Sequence, residues 1–136
     1  MSFENKLIAI INKDIDIGVA MNAIAHASLA IGASLGKDEM FLQDNIDASG
    51  NTWPMSGMPY IILRGKSGEI RKAVLAAKAE NVKQIAFVET MTGGTWQEQV
   101  ERTAKVAEDE HTYFAAILYG SWDTVSQISK RFSLYK

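Results

Sequence analysis

A chain of 136 residues that is 47% apolar can enclose one compact core and is too short for two comfortable ones, so a single domain over residues 1–136 is expected. Its 14 Lys and Arg against 16 Asp and Glu leave a formal charge of -2, without the positive excess that phosphate binding displays, which argues against a dedicated nucleic-acid binder and against DNA as a partner. The absence of cysteine excludes disulfides, cysteine nucleophiles and thiolate metal sites, and suits a reducing compartment.

The opening residues, MSFENKLIAIIN, place an acidic residue before a short apolar run and lack a basic region with a small-residue cleavage site. They do not read as a signal peptide, and a cytoplasmic location is the expectation. Within them KLIAIINK, residues 6–13, is a Leu and Ile run bounded by charge and predicts a buried strand. A helix then starts near residues 16–19, with Asp16 able to cap it.

In that helix Ile17, Met21, Ile24, Ser28, Ile31 and Leu35 recur at three- and four-residue steps and define one face, while Asn22, His26, Leu29 and Ala33 line nearly the opposite one. Residues 18–36 carry no formal charge, a length that reaches the lower limit of a membrane helix. Their six alanines, three glycines, two serines, Asn22 and His26 leave few large apolar groups to offset polar atoms in hydrocarbon, so no membrane span is expected. Both faces of so uncharged a helix need cover, which points to a homodimer.

Residues 37–58, with GKDE, DNIDASGN and WPMSGMP as turn-rich punctuation, predict irregular structure around a short strand at residues 40–42. PYIILRG then reads as a second main strand, SGEIRKAVLAAKAENV as a helix with Ser67 as its cap, and KQIAFVE as a third strand, a parallel crossover unit. After the loop MTGGTW, QEQVERTAKVAEDE has helical spacing through Val100, Ala104 and Ala107. HTYFAAILYG supplies a fourth strand and SWDTVSQISKRF a last helix with Trp122, Val125, Ile128 and Phe132 inward. Such alternation predicts an α/β domain of three layers with a mostly parallel or mixed sheet of about four strands.

Charge is uneven along the chain. Residues 64–83 hold six basic and two acidic groups, net +4, and residues 89–110 six acidic and two basic, net -4. Each is readable as the solvated face of a helix, as a binding face, or as one half of a self-association.

Ligands of open α/β sheets gather beyond the carboxyl ends of strands, and two loops here qualify: KDIDIG after the first strand and ETMTGGTW after the third. If those strands are parallel neighbours, Asp14 and Glu89 emerge together as catalytic candidates, able to share a proton or hold a hard cation. Thr90, Thr92, Gly93 and Gly94 form a hydroxyl-rich loop of the kind whose backbone amides hold anions, though it lacks the spacing of a phosphate-binding P-loop. Asn22 and His26, one helical turn apart, can reach a common partner and are candidate ligand-binding residues. For each of these the structural alternative is plain: capping, turn formation, or a satisfied place in a core or interface. His111 lacks a ligand at four-residue spacing, so no two-histidine metal motif is present.

A strand ending in an aspartate, a short turn and an Ala-rich helix with Ala25-His26-Ala27 resembles the start of peptidyl-tRNA hydrolases of the second, archaeal and eukaryotic type. The order of elements is also similar, including the closing strand, glycine and helix in ILYG and TVSQISKRFSLYK. More closely, the chain resembles a bacterial set of domains of unknown function in that superfamily, through Met21-Asn22, DASGNTWP, ETMTGG and the closing ISKRFSL. The resemblance covers nearly the whole chain and implies a peptidyl-tRNA hydrolase type II-like fold.

In those hydrolases a lysine in the turn before the first helix is implicated in catalysis. Here that turn is shorter and no lysine lies between positions 13 and 37, while the aspartate expected after the third strand is represented by Glu89. Fold therefore transfers further than activity. The expectation is a ligand-binding or divergent catalytic module around Asp14, Asn22, His26, Glu89 and the Thr-Gly loop, with no cofactor and a small molecule or RNA ester as ligand. Its rivals are a hydrolase of peptidyl-tRNA or a related RNA ester, and a non-catalytic interaction protein.

Overall fold

The first apolar run lies at the centre of a five-stranded sheet. The computed structural model describes residues 3–136; Met1 and Ser2, part of the leader reading, lie outside the described residues. The strands are β1 (Asn5–Asn12), β2 (Leu42–Ile46), β3 (Thr52–Ser56), β4 (Tyr60–Gly65), β5 (Lys83–Val88), β6 (Tyr113–Ser121) and β7 (Ser133–Leu134). The helices are α1 (Ile17–Glu39), α2 (Ser67–Ala79), α3 (Trp96–Thr103) and α4 (Trp122–Ser129). The main sheet has the order β5-β6-β1-β4-β7, and β2 and β3 form a separate two-stranded ribbon.

β1 pairs parallel with β4 and antiparallel with β6, which in turn pairs antiparallel with β5. β1, β4 and β5 therefore run the same way, and the β4-α2-β5 unit is a parallel crossover, as its sequence predicts. The sheet is mixed, with five strands rather than four. The expectation that β1 and β5 are neighbours is corrected, because β6 runs between them. Its run of buried residues from Ala115 to Tyr119 suits a central position covered on both faces.

Alternation along β1 divides the layers. Ile8 and Ile10 face α2 and α4 with Ile70, Val74, Leu118 and Val125. Leu7, Ala9 and Ile11 face α1. The buried side of α1 is Ala20, Ala23, Ala27 and Ile31, whereas Ile17 and Met21, placed on one face with Ile31 by their spacing, are exposed. Bulky sheet residues such as Phe87 and Ile117 fill the space between the layers, so alanines set the approach of the helix and larger residues rotate outward. Asp16 occupies the N-cap position of α1 without a side-chain cap bond.

Four other expectations are corrected. Residues 42–56 form a regular hairpin, paired from Leu42 with Ser56 to Ile46 with Thr52. Its tip is organised by the Asp47 carboxylate, which accepts the backbone N–H groups of Ser49 and Asn51 and the Trp53 indole N–H at 2.9 Å each; every ribbon residue is exposed, so no inward-outward alternation announces it. The helix read through Ala107 ends at Thr103, with Val100, Ala104 and Ala107 exposed. Ser67 is not a cap, since its hydroxyl accepts the Tyr113 N–H at 2.8 Å. Of the residues expected inward in the last helical segment, Val125, Ile128 and Phe132 pack on the core; Trp122 alone lies outside, under the Lys6 ammonium, 5.1 Å from the ring centre.

Gly65 is a position where a side chain cannot enter: a Cβ there would stand 2.5 Å from the Phe132 ring, so glycine lets the segment after α4 close over β4. The oppositely charged segments meet inside the chain. Arg71 donates a forked pair of bonds to Glu108, and Tyr113 donates its hydroxyl to the same carboxylate at 2.7 Å.

Candidate functional site

The two ends of the sheet differ in what they leave open. At the carboxyl end of β1, β4 and β5 stand Asp14, Lys66 and Glu89, with the start of β6 between the first and last. Asp14 and Glu89 thus share an edge but are separated by two strand spacings, roughly 10 Å. Asn12 is buried, donates from Nδ2 to the Tyr113 carbonyl at 2.9 Å, and accepts the Asp14 N–H at 2.8 Å. Glu89 accepts the Thr112 N–H at 2.8 Å and faces His111 Nδ1 at 3.3 Å. Beside them Arg71 and the Tyr113 hydroxyl hold the Glu108 carboxyl down at about 2, and burial with that same carboxylate pushes Tyr113 up to about 12.

The Thr-Gly loop is closed by its own chain. Arg102 donates to the carbonyls of Thr90, Thr92 and Gly93 at 3.1, 2.9 and 2.7 Å, and the hydroxyl of buried Thr90 pairs with Thr103 at 2.7 Å. Gly93 and Gly94 both have φ near +75°, which lets the loop fold its carbonyls onto the guanidinium. Among the described residues no buried side-chain nitrogen or oxygen lacks a partner, and no group of three His, Asp or Glu gathers as a metal site.

At the amino end lies a hollow of about 550 Å³, within the range of small-molecule sites. Its floor is Leu7 on β1 and Tyr60 on β4, which are register partners. One wall is the second half of α1, through Ser28, Ile31 and Gly32; the other is the ribbon, through Leu42, Met55 and Ser56, with Met40 and Met58 closing the ends. Gly36, at φ +84°, breaks the helical path, and Phe41, at φ +52°, turns the chain into the ribbon. These two residues hold the walls apart.

The lining is mainly apolar. Three of its side chains are Met40, Met55 and Met58, half of the six methionines in the sequence, and thioethers adapt to ligands of varied shape. The polar groups are few: Ser28 and Tyr60 share a 3.0 Å hydroxyl bond, Ser56 is already bonded to Met40 and Met58, and Lys37 stands exposed on the lining. Burial pushes the Tyr60 hydroxyl up from its ordinary pKa, keeping it protonated as a donor.

None of Asp14, Asn22, His26, Glu89, Thr90, Thr92, Gly93 and Gly94 lines this hollow. Asn22 and His26 are exposed on the outer side of α1, the His26 ring 6.2 Å from that of Phe87. The hollow's own residues were missed because Met, Gly and Ser carry no chemical signature. The one available signal was the clustering of Met40, Met55 and Met58 around WPMSGMP.

The family of proteins of unknown function DUF2000 matches residues 5–136. The chain belongs to the DUF2000 family. No curated protein matches it. Among solved structures, the DUF2000 chain is similar to a protein of unknown function, Atu0240, from Agrobacterium tumefaciens strain C58, with 19% identity and a TM-score of 0.88. The match covers 99% of this chain and 100% of that one. At that identity the likeness establishes the α/β fold alone.

Proposed function

We propose that this DUF2000 protein is a cytoplasmic small-molecule-binding module whose ligand occupies the hollow between α1 and the ribbon. One observation carries the reading: space for a small molecule, mostly apolar walls, and the Ser28–Tyr60 hydroxyls and Lys37 as polar groups. That chemistry suits a flat or flexible apolar body with one anionic or hydrogen-bonding end. The test uses anilinonaphthalene sulfonate, an apolar fluorophore with one anionic group, on the wild type beside Gly32→Leu. A Cβ at Gly32 meets nothing within 4 Å, so leucine fills the hollow while improving helix propensity by up to about 1 kcal/mol. Saturable binding by the wild type, lost in a variant at least as stable, supports the reading. Equal binding by both, or none by the wild type, defeats it.

A second reading, a hydrolase of peptidyl-tRNA or a related RNA ester on a peptidyl-tRNA hydrolase type II-like fold, is favoured by the Glu89–His111 pair at the carboxyl edge. The Lys13 N–H bonded to the Gly65 carbonyl at 3.0 Å also brings Lys13 and Lys66 to that edge, offering cations absent from the shortened turn. Rapid release from peptidyl-tRNA that Glu89→Ala abolishes would put this reading first. Absence of turnover removes it.

A further inference from the structure

We infer that two copies of this chain form a symmetric dimer in which the β2–β3 ribbon of each lies over the outer face of α1 of the other. The inference is independent of what the hollow holds.

The ribbon stands apart from the main sheet, and all ten of its strand residues are exposed. An isolated two-stranded ribbon is marginal in water. This one is nevertheless built to hold its shape, with an unbroken register and a tip locked by Asp47. It is apolar on both sides: pleat alternation puts Leu42 and Ile46 on one face, Trp53 and Met55 on the other. Leu42 and Met55 reach the chain's own hollow; Ile46 and Trp53, 70% and 58% exposed, extend beyond it.

The outer side of α1 has the complementary deficiency. Met21 and Leu29 are 63% and 72% exposed, among alanines and Asn22, and residues 18–36 contain no charged side chain. Met21 and Leu29 on α1 and Ile46 and Trp53 on the ribbon are each more than half exposed and stand outside the hollow, so a second copy can cover them whatever the hollow holds. The exposed ribbon and the outer side of the 23-residue α1 together offer a surface on the order of the roughly 800 Å² per partner of a standard interface.

A second copy is the occupant that this arrangement favours. Each chain carries one arm and one uncovered face, so a two-fold axis satisfies both at once and closes the assembly. Along α1 neither copy presents a like charge to the other, and nothing on that face would select an unlike partner by charge.

The absence of cysteine makes the arrangement directly testable. Sedimentation of the full chain is expected to give twice the 15.0 kDa mass. Leu29→Glu, at an exposed site where folding tolerates it, is expected to weaken the dimer about 100-fold, while Val100→Glu on α3 leaves it intact. Both are checked for the wild-type circular dichroism spectrum. Mixing Leu29→Cys with Ile46→Cys and adding a short bis-maleimide is expected to link residue 29 of one copy to residue 46 of the other.

A single-chain mass at high micromolar concentration leaves the face to an unlike partner and overturns the dimer. Unchanged affinity in folded Leu29→Glu does the same. A dimer that yields no 29–46 link overturns the placement of the arm.

Discussion

The two ends of the sheet present opposite balances of polarity and space. At the carboxyl end Asn12, Glu89, His111, Arg71, Glu108 and Arg102 are engaged with one another or with backbone groups of the same chain, and their hydrogen-bonding capacity is spent on holding loops in place. The hollow at the amino end has mainly apolar walls and about 550 Å³ of room. The rule that ligands bind beyond the carboxyl ends of parallel strands rests on loops splaying apart there. In this sheet the antiparallel strand β6 starts between β1 and β5 and fills the crevice. The ribbon after α1 creates a new one at the other end.

The contrast between the two ends requires that the polar groups at the carboxyl end hold the fold. Asn12 is the strongest case, because both halves of its amide serve buried or half-buried backbone groups. Asn12→Leu leaves the Tyr113 carbonyl and the Asp14 N–H unpaired and is expected to cost about 2–3 kcal/mol in urea unfolding. A loss near zero would mean that this end is not held as described. Glu89→Ala removes an acceptor from an exposed N–H and a pairing with the largely buried His111 side chain, for an expected loss of about 1 kcal/mol. Binding of the fluorophore in the hollow should not change, and if it falls sharply the two ends are coupled and the contrast fails.

A weaker effect sharpens the other side. Among the described residues Lys37 is the one charged group lining the hollow, but it is exposed, so its attraction for an anion is screened. Lys37→Met should weaken the sulfonate probe by about threefold and leave a neutral analogue unaffected. Equal weakening of both probes would make Lys37 a packing residue.

How much of this was legible follows from the range of the interactions. β1 and β6 are announced by continuous apolar runs, and the helices by three- and four-residue spacing, because burial leaves a local pattern. Strand order leaves none: nothing near Asp14 or Glu89 says that Tyr113 will run between them. The exposed ribbon lacks the alternation that one-sided burial would impose, although its turn, DASGN, was recognisable as punctuation. Asp14 and Glu89 drew notice as carboxylates after strands. The hollow drew none, since it is made by where Gly36 and Phe41 turn the chain, and space has no residue type.

The smallest expected effect concerns the tip of the arm. Hydrogen bonds from the Trp53 indole and then from Asn51 hold the Asp47 carboxyl well below the usual carboxylate range, at about 2. A carboxylate whose pKa is lower in the folded state contributes stability that is complete above the unfolded value and is lost as pH falls through the folded one. The indole N–H of Trp53 should therefore begin exchanging faster with solvent between about pH 4 and pH 2, while amides of β1 and β6 stay protected. Asp47→Asn cannot ionise, so its indole should show no such step. A step of equal size in that variant would assign the transition to another acid, Glu108 being the nearest in kind, and would separate the opening of the arm from the chemistry of its tip.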